Sequence, residues 1–430
     1  MRAREVLNWL RRYESRNVTF QEPDGSWPIV WERARGTRVW DAEGRAYLDL
    51  TAAFGVAAAG HAHPAVVRAA QRQAARLPHA MGDVHPHPLK ARLARELSRL
   101  TFERWSPRAT GKSILCQSGF EAVEAALKTA LLATGRREIL AFEGGYHGLG
   151  YGALNATHRR YFRQPFLGQL GGFARFAPYP CGPAELAGAL RAIAARLSTG
   201  RCGAVLVEPV QARGGIRLPP SDFLPALREL CSRHGALLIL DEIYTGFGRT
   251  GRWFACEHGA VTPDLICLGK ALAGGFPLSA CVGRADLMDA AWPSSTGEAL
   301  HTSTFLGHPV GCAAALAQIG TLRRLGLIRR SRDLGRQLLG DLAELAARPC
   351  RFHLEARGLG LMAGLELRRP GGAPATAEAL RIVKAMLHRG FILLPEGEHS
   401  NVISFTPPLT ITAGALRQTV RALGELLPPP

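Results

Sequence analysis

The sequence predicts an α/β protein in which a mostly parallel central sheet is wrapped by helices, with a smaller α+β lobe beside it. Short apolar runs alternate with longer helical patterns through the middle of the chain, and this rhythm is typical of a parallel sheet. Beyond about residue 310 the pattern changes to helices and short strands, which indicates a second lobe. At 430 residues the chain is long enough to bury a large core and to divide into two or three lobes.

The individual elements follow from this alternation in chain order. The opening segment, MRAREVLNWLRRYESRN, carries arginines throughout and predicts an amphipathic helix, and GVAAAGHAHPAVVRAA predicts a loop that leads into another helix. Apolar runs predict strands at residues 113–116, 138–142, 204–209, 236–241 and 265–269, with helices after the first run and near 221–234. The last part of the chain predicts helices at 309–325, 376–389 and 411–427 and a strand near 362–368.

These elements predict three parts. We expect residues 1–55 to form an N-terminal segment that joins the smaller lobe, residues 56–308 to form the large domain, and residues 309–430 to form the small C-terminal domain. Ligands of open parallel sheets bind beyond the carboxyl ends of the strands. The large domain is therefore expected to carry the functional site.

The composition is ordinary for a soluble globular protein, with 47% hydrophobic and 20% charged residues. No apolar run approaches the roughly 18 residues of a membrane span, and the opening segment lacks the apolar core of a signal peptide. We therefore expect a cytoplasmic protein without a membrane partner. The nine cysteines form no CxxC pair and no close Cys/His cluster, so neither a disulfide framework nor a metal site is predicted.

The formal net charge of +18 is compatible with a nucleic-acid partner, because clustered Lys and Arg side chains neutralise phosphates. The arginines are scattered, however, and no basic run is interleaved with aromatic residues. The sequence therefore favours a solvated, arginine-rich surface and no nucleic-acid partner. A non-enzymatic nucleic-acid-binding protein stays the alternative that the charge alone suggests.

One lysine is unusual in this arginine-rich chain. Five of the 53 basic residues are lysines, and Lys270 lies in LICLGKALAGGF between an apolar run and a glycine pair. A lysine amine acts as a nucleophile or base when its surroundings lower its pKa, whereas an arginine effectively never loses its proton. Lys270 is therefore a candidate catalytic residue, unless it is simply a lysine that survived in this composition.

A carboxylate ends the apolar strand in ALLILDEIYTGFGRTG. Asp241 needs a partner at the edge of the core, and a pyridinium N–H would satisfy it. Ile243 would point to the same side as Asp241 if the strand continued, and would offer an apolar surface beneath a ring. The alternative is that Asp241 caps the next turn, which leaves Lys270 unexplained.

Two glycine-containing turns add to this pattern. In CQSGFEAVEAALKTA, Ser118 opens an alanine-rich helix whose first N–H groups favour a phosphate, although an ordinary serine N-cap explains the same residues. In FEGGYHG, Tyr146 is placed either to stack on a planar ring or merely to pack. With a lysine and a carboxylate at strand ends, these are the parts that pyridoxal phosphate requires. The lysine would form an internal aldimine, and the aspartate would keep the pyridine nitrogen protonated.

The motifs VEPVQ, LDEIYTGFGRTG, PDLICLGKALAGGFPLSA and HTSTFLGHPVGCAAAL, with QSGFEAVEAALK and YHG, closely resemble signature segments of class III pyridoxal-phosphate-dependent aminotransferases. The resemblance runs from about Val39 to the C-terminal helix. It implies fold type I, with residues 56–308 as the domain that binds pyridoxal phosphate. It also implies a homodimer whose active sites are shared between the subunits.

The resemblance implies a role for each matching residue, with Lys270 and Asp241 as the catalytic pair. The phosphate would be held by Ser118, Gly119 and a Thr304 that reaches across from the partner subunit. Tyr146 would stack on the ring, Ile243 would pack opposite, and Glu208 would anchor the hydrogen-bond network of the site. The full set of expected cofactor contacts is Ser118, Gly119, Phe120, Tyr146, His147, Glu208, Asp241, Ile243, Tyr244, Lys270 and Thr304.

Three positions depart from the family pattern and bear on the substrate. Tyr244 stands where many relatives have a glutamine, Arg213 replaces the acidic residue of EPxQGE, and Ser404 replaces an arginine. Those relatives pair that acidic residue with that arginine and release the arginine for the α-carboxylate of glutamate or 2-oxoglutarate. This chain is not expected to bind them in that way, and we expect substrate contacts from Phe54, Arg213 and Ser404.

The sequence therefore predicts an aminotransferase that moves an amino group from an amine or ω-amino donor to an oxo acid such as pyruvate. The alternative within the family is an ornithine, acetylornithine or 4-aminobutyrate type of enzyme. An aminomutase, racemase or decarboxylase on the same scaffold is the remaining alternative.

Overall fold

The computed structural model describes residues 2–429. The strands within this range are β1 (Trp31–Arg35), β2 (Arg38–Asp41), β3 (Ala46–Asp49), β4 (Gly111–Cys116), β5 (Glu138–Phe142), β6 (Ala174–Ala177), β7 (Cys202–Val207), β8 (Leu237–Asp241), β9 (Leu265–Leu268), β10 (Ser279–Arg284), β11 (His353–Gly358), β12 (Ala363–Arg368), β13 (Phe391–Ile392), β14 (Leu394–Glu396) and β15 (Val402–Phe405).

The helices within residues 2–429 are α1 (Ala3–Tyr13), α2 (Ala52–Gly55), α3 (Pro64–Arg76), α4 (Pro88–Leu100), α5 (Phe102–Trp105), α6 (Gly119–Thr134), α7 (Tyr151–Ala156), α8 (Arg160–Arg163), α9 (Pro183–Leu197), α10 (Phe223–His234), α11 (Ala285–Ala291), α12 (Pro309–Arg324), α13 (Leu327–Ala346), α14 (Thr376–His388) and α15 (Ala413–Gly424). Short 3-10 turns lie at Gln164–Gln169, Ala255–His258 and Lys270–Leu272. No helix in this part of the chain combines the length and the apolar character needed to cross a bilayer.

The central sheet has the strand order β4-β10-β9-β8-β7-β5-β6. Its neighbours pair in parallel from β9 to β6, whereas β10 runs antiparallel to both β4 and β9. The predicted mostly parallel sheet is therefore confirmed. Alternate residues of β7 belong to two separate core clusters, Val205 and Val207 to one and Ala204 and Leu206 to the other. Both faces of this strand are thus covered, which explains its continuous apolar run.

Helix α6 positions the first candidate loop at the carboxyl end of β4. Its buried face is built from small side chains, including Ala122, Ala125, Ala126 and Ala130, so the helix backbone packs closely on the sheet. The helix ends at Gly135, whose φ of 63° is the left-handed conformation that glycine adopts without a steric penalty. This packing fixes where the N-terminus of α6 points.

Two further sheets are formed outside the central one. Strands β11, β12, β15 and β14 form an antiparallel sheet, and β1, β2 and β3 form another that is completed by β13. The pair β3 and β13 is parallel, with Leu48 opposite Phe391. This pairing is the contact through which the N-terminal segment would join the smaller lobe. The three domain boundaries themselves stay predictions.

The sequence reading missed two elements of the C-terminal region, the 20-residue helix α13 and strand β11. Gly326, in the left-handed conformation, separates α12 from α13. The buried positions Leu338, Leu342 and Leu345 follow helical spacing, but the many arginines of this segment obscure it. Helix α13 packs on β11 and α15, so it belongs to the core of the C-terminal region.

Candidate active site

A cavity of about 450 Å³ lies at the carboxyl ends of the central strands, where ligands of parallel sheets bind. Ten residues predicted from the sequence line it. They are Gly119, Phe120, Tyr146, His147, Glu208, Arg213, Asp241, Ile243, Tyr244 and Lys270. Gly148, Leu149 and Ala212 complete the lining and were not predicted. No group of three or more His, Cys, Asp or Glu side chains among residues 2–429 is arranged to hold a metal ion.

Lys270 begins a short 3-10 turn directly after β9 and has a φ of 37°. A left-handed conformation is strained for a non-glycine residue and is held only by the surrounding structure. Its Nζ lies 4.4 Å from the centroid of the Tyr244 ring. Burial lowers the pKa of Lys270, although the negative charges of Asp241 and Glu208 oppose this shift. A lower pKa leaves more of the amine uncharged and able to act as a nucleophile or base.

Asp241 ends β8 and is buried, and both of its carboxylate oxygens have partners. Its Oδ2 is 2.8 Å from Nδ1 of His147, and its Oδ1 accepts a hydrogen bond of 3.1 Å from the N–H of Ile243. The strand geometry does not continue to Ile243, because the chain turns after Asp241 and this hydrogen bond closes the turn. The turn nevertheless brings Ile243 to the cavity wall beside Asp241. Asp241 therefore caps the next turn and also faces the cavity.

Glu208 follows β7 and joins two loops of the cavity wall. Its Oε1 accepts a 2.9 Å hydrogen bond from the N–H of Tyr146, and its Oε2 accepts one of 3.2 Å from the N–H of Ala212. Burial raises the pKa of Glu208 to about 7, and the nearby charge of Asp241 acts in the same direction. The predicted anchoring role thus has a geometric basis, since one carboxylate positions both Tyr146 and the residue before Arg213.

The N-terminus of α6 offers an anion-binding position at the cavity. Glu121 accepts hydrogen bonds of 2.8 Å from the N–H groups of Gln117 and Ser118. The hydroxyl of Ser118 is buried and has no hydrogen-bond partner within residues 2–429. A Cβ at Gly119 would lie 3.1 Å from the side chain of Ile243, so glycine keeps this corner open. An unpaired hydroxyl at a helix N-terminus suits a phosphate group.

Aromatic and imidazole groups form the wall above these polar residues. The Tyr146 ring contacts Phe162 edge to face, with ring centroids 5.5 Å apart, and the Arg213 guanidinium lies 5.2 Å from its centroid. His147 is buried, and its Nε2 has no hydrogen-bond partner among the described residues. The Tyr244 hydroxyl is 3.2 Å from Oγ1 of Thr406, which holds the ring beside Lys270.

Arg213 has a counter-ion that the sequence reading did not predict. Its Nε lies 3.4 Å from Oε2 of Glu396, the last residue of β14. The departures from the family pattern concerned positions 213 and 404 only, and they gave no indication of Glu396. Glu396 comes from the C-terminal region, and the segment LLPEGE has no motif that would have indicated it.

Four predicted residues are not among those that line the cavity of the described chain. Ser118 is the residue directly before Gly119, which does line it. Ser404 is buried, and its hydroxyl donates to the carbonyl oxygen of Leu394 at 3.0 Å, so its side chain is used within the sheet. Thr304 is exposed on the surface. Phe54 is 51% exposed and lies in α2. For Thr304 and Phe54, the roles stay predictions that depend on a second copy of the chain or on a substrate.

The short helix α2 has an unusual backbone. Ala52, Ala53, Phe54 and Gly55 all have positive φ values, between 48° and 82°. A Cβ at Gly55 would lie 2.9 Å from the Tyr244 ring, so only glycine permits this approach. The left-handed turn thus packs against the tyrosine that flanks Lys270 and presents Phe54 to solvent.

A partly buried lysine and a buried carboxylate, together with an aromatic wall and an unpaired hydroxyl at a helix N-terminus, fit a planar pyridine ring that carries a phosphate. The fold and this cavity define a pyridoxal-phosphate-dependent enzyme of fold type I. The family model for class III aminotransferases matches residues 19–427, and the chain belongs to that family. It is therefore an aminotransferase that uses pyridoxal phosphate, and its substrates are an amine donor and an oxo-acid acceptor.

Similar proteins support this assignment at the level of whole chains. The 5-aminovalerate aminotransferase DavT of Pseudomonas aeruginosa is 37% identical over 406 residues, which cover 93% of each chain. An acetylornithine aminotransferase of Methanosarcina mazei is 35% identical over 401 residues, which cover 93% of this chain and 92% of the relative. The crystal structure of an amine transaminase from an uncultivated Pseudomonas species superposes with a TM-score of 0.87 at 30% identity, over 96% of this chain and 97% of that one.

Proposed function

We propose that this aminotransferase takes its amino group from an amine or ω-amino donor and that Arg213 binds the carboxylate of the oxo-acid acceptor, such as pyruvate. One observation carries this proposal. Arg213 lines the cavity, and within residues 2–429 its guanidinium forms no hydrogen bond; it lies 3.4 Å from the Glu396 carboxylate and 5.2 Å from the centroid of the Tyr146 ring. A guanidinium with free N–H groups is suited to a carboxylate. Similarity to an amine transaminase and to a 5-aminovalerate enzyme supports the donor class.

The other residues at the cavity would bind the cofactor, transfer the proton and keep the ring nitrogen protonated. Lys270 would hold the cofactor covalently and move the proton at the reacting carbon, because its lowered pKa provides an uncharged amine. Ser118 and Gly119 would hold the phosphate, and Tyr146 and Ile243 would contact the ring. Pyridoxal phosphate, when bound, supplies a pyridine ring that accepts the electrons of the donor carbon. Asp241 would keep the ring nitrogen protonated, and the hydrogen bond with His147 orients its carboxylate.

Replacing Arg213 with methionine tests the acceptor site. We expect the KM for pyruvate to rise by about tenfold or more, which corresponds to about 1.4 kcal/mol for losing a charge-assisted pair. The half-reaction with an uncharged-tail amine such as n-pentylamine should be almost unchanged, because that donor has no carboxylate. The two half-reactions are to be followed separately by the absorption of the bound cofactor.

The matched control is Arg159→Met. Arg159 lies beside Arg213 in a neighbouring cavity of about 150 Å³ but does not line the larger cavity. Its replacement should leave the KM for pyruvate unchanged. If Arg213→Met slows both half-reactions equally, Arg213 has a structural role. If it slows neither, Arg213 does not bind the acceptor.

The homodimer with shared active sites belongs to the same proposal. Thr304 is exposed, and the large apolar side chains of Met81, Leu300 and Phe305 are also more than half exposed. A second copy of the chain that covered this surface would bring Thr304 towards the other subunit's phosphate position. Within one chain, however, Ser303 Oγ already reaches Oε1 of Gln117 at 3.3 Å, so a contact within one chain is the alternative.

Mixed dimers distinguish these two arrangements. One chain would carry Lys270→Ala and the other Thr304→Ala, with different affinity tags for purification of the mixed species. If Thr304 acts across the interface, one site contains both changes and the other contains neither. We then expect about half of the wild-type activity and one tightly bound cofactor per dimer. If Thr304 acts within its own chain, both sites are damaged, and this outcome would refute the shared site.

The alternative within the family is an ornithine, acetylornithine or 4-aminobutyrate type of enzyme, and similarity to the acetylornithine aminotransferase favours it. The absence of the family's glutamate–arginine pair argues against it, because this chain has Arg213 and Ser404 at those two positions. Net transfer of nitrogen to an added oxo acid separates either aminotransferase from an aminomutase, a racemase or a decarboxylase. A cytoplasmic location stays a prediction from the sequence.

A further inference from the structure

A second cavity, of about 340 Å³, lies at the opposite edge of the central sheet from the candidate active site. Glu138 is the first residue of β5, Phe173 directly precedes β6, and Arg201 directly precedes β7. All three residues line this cavity, which therefore lies at the amino ends of these parallel strands. A strand of five residues such as β5 is roughly 17 Å long, so the cavity is separate from the one at the carboxyl ends.

The lining of this second cavity is strongly basic, and we call it the basic cavity. Its charged lining residues are Arg136, Arg137, Glu138, Arg175 and Arg201, and the other lining residues are Gly135, Gly172 and Phe173. Four positive charges and one negative charge therefore lie at its wall. Like charges that lie close together repel one another unless a counter-ion compensates them.

Three guanidiniums approach the single carboxylate of the basic cavity, that of Glu138, which is buried at 5% exposure. The Nη2 atoms of Arg201, Arg196 and Arg175 lie 2.9, 3.0 and 3.4 Å from its oxygens. One guanidinium is enough to neutralise a carboxylate, so two positive charges of this cluster have no counter-ion in it. Neither oxygen of Glu138 has a hydrogen-bond partner within residues 2–429, so these contacts balance charge without using N–H groups in hydrogen bonds to the carboxylate.

Backbone carbonyl groups hold the arginines of the basic cavity in place. Arg136 donates to the carbonyl oxygen of His234 at 3.0 Å, and Arg137 donates to that of Gly171 at 2.7 Å. Arg175 Nη1 donates at 2.8 Å to a carbonyl oxygen three residues earlier in the chain. A guanidinium that is already fixed loses little conformational freedom when it binds an anion, and its planar fork matches the oxygens of a phosphate. The cavity is therefore preorganised for an anion.

We propose that the basic cavity binds a doubly charged phosphate group, either inorganic phosphate or the phosphate of a monoester. This inference does not depend on the amino donor or the acceptor proposed above. A dianion supplies the two negative charges that the cluster around Glu138 lacks, and its oxygens accept hydrogen bonds from the guanidiniums. Phe173 adds an apolar surface that suits the organic part of an ester. The bound phosphate links the segments that begin β5, β6 and β7, and so stabilises the folded state.

Isothermal titration calorimetry on the holoenzyme tests for this site, because the cofactor then occupies the phosphate position of the active site. The probes are inorganic phosphate and phenyl phosphate at about pH 8, where both are dianions, with chloride used to keep the ionic strength constant. We expect a single saturable site per chain. Inorganic phosphate that binds at least as tightly as phenyl phosphate assigns the site to free phosphate, and tighter binding of phenyl phosphate assigns it to an ester beside Phe173. The inference is overturned if neither probe binds saturably.

Two variants change the charge of the cluster in opposite directions. Arg201→Gln removes one guanidinium and should weaken phosphate binding by about tenfold, as loss of a charge-assisted contact implies. The Arg201 side chain is 68% exposed, so the fold should survive. Glu138→Gln removes the negative charge of the cluster, so it should strengthen phosphate binding although it lowers thermal stability. Structural damage alone does not produce opposite shifts in phosphate affinity.

Arg191→Gln is the matched control, because Arg191 is an exposed residue of α9, the helix that carries Arg196, and does not line the basic cavity. Phosphate should bind this variant as it binds the wild type. Thermal unfolding gives a second measurement, in which phosphate should stabilise the wild type and Arg191→Gln more than chloride does at equal ionic strength, and Arg201→Gln much less. Equal phosphate affinity in Arg201→Gln and Arg191→Gln overturns the inference, even if Glu138→Gln does not fold. An oligothymidylate that binds through Arg201 when neither phosphate probe binds also overturns it, and assigns the cavity to nucleic acid.

Discussion

Replacing Lys270 with alanine is expected to reduce transamination by at least about 10⁴-fold, since the enzyme loses both its nucleophile and its proton-transfer group. The fold should survive. Within residues 2–429 the Lys270 amine forms no hydrogen bond or ion pair, and it lies over the Tyr244 ring. The left-handed backbone at this position is equally strained with either side chain, so no new strain is introduced.

The measurements for this variant are steady-state turnover and the visible absorption of the bound cofactor. The absorption should change even before any substrate is added, because the covalent attachment is gone. Lys112→Ala is the control, since Lys112 pairs with Asp289 on the surface and does not line the cavity. Turnover near the wild-type rate in the Lys270 variant would exclude Lys270 as the catalytic lysine.

Asp241→Asn has the second-largest expected effect. A neutral amide does not keep the ring nitrogen protonated, so we expect kcat to fall by roughly 10²- to 10³-fold, as on loss of other preorganised charges. The amide oxygen is still able to accept a hydrogen bond from His147 or Ile243, so the turn after β8 should persist. The cofactor content, measured after its release from the protein, should therefore stay close to that of the wild type.

The control for this variant is the neighbouring residue, Glu242→Gln. Glu242 is fully buried and accepts hydrogen bonds from the N–H groups of Ala255 and Cys256, so its replacement should lower thermal stability without a comparable loss of kcat. If Asp241→Asn instead lowers stability and keeps near-wild-type rates, Asp241 serves only the turn. The proposed position of the ring would then be wrong.

The central sheet was predictable because its strands are covered on both faces. Strand β5 begins and ends where its apolar run predicts, at Glu138 and Phe142, and β7 and β8 differ from the predictions by one or two residues. Helix α13 was missed because its apolar spacing is diluted by exposed arginines. When both faces of an element are buried, its residues form a continuous apolar run that is visible in the sequence. When one face is exposed, the polar residues on that face obscure the apolar spacing of the buried face.

The candidate site was predictable in part for a related reason. Glu208, Asp241 and Lys270 lie at the carboxyl ends of neighbouring parallel strands, and these ends meet at one edge of the sheet. Glu396 arrives from an antiparallel sheet more than a hundred residues further along the chain, and no local pattern connects it to Arg213. The pairing of His147 with Asp241 was missed similarly, because it depends on how the turn after β5 folds back. The catalytic and binding roles of all these residues stay predictions.

The left-handed turn of α2 has a consequence for engineering this protein. Three non-glycine residues, Ala52, Ala53 and Phe54, occupy a conformation that costs an L-residue roughly 1–2 kcal/mol each. Glycine at Ala52 or Ala53 would relieve that strain, although it would also increase the freedom of the unfolded chain. The same change would make the backbone next to Gly55 more flexible, and Gly55 is the residue that packs against the Tyr244 ring. This turn is therefore a place where selection for heat resistance and selection for turnover are expected to favour different residues.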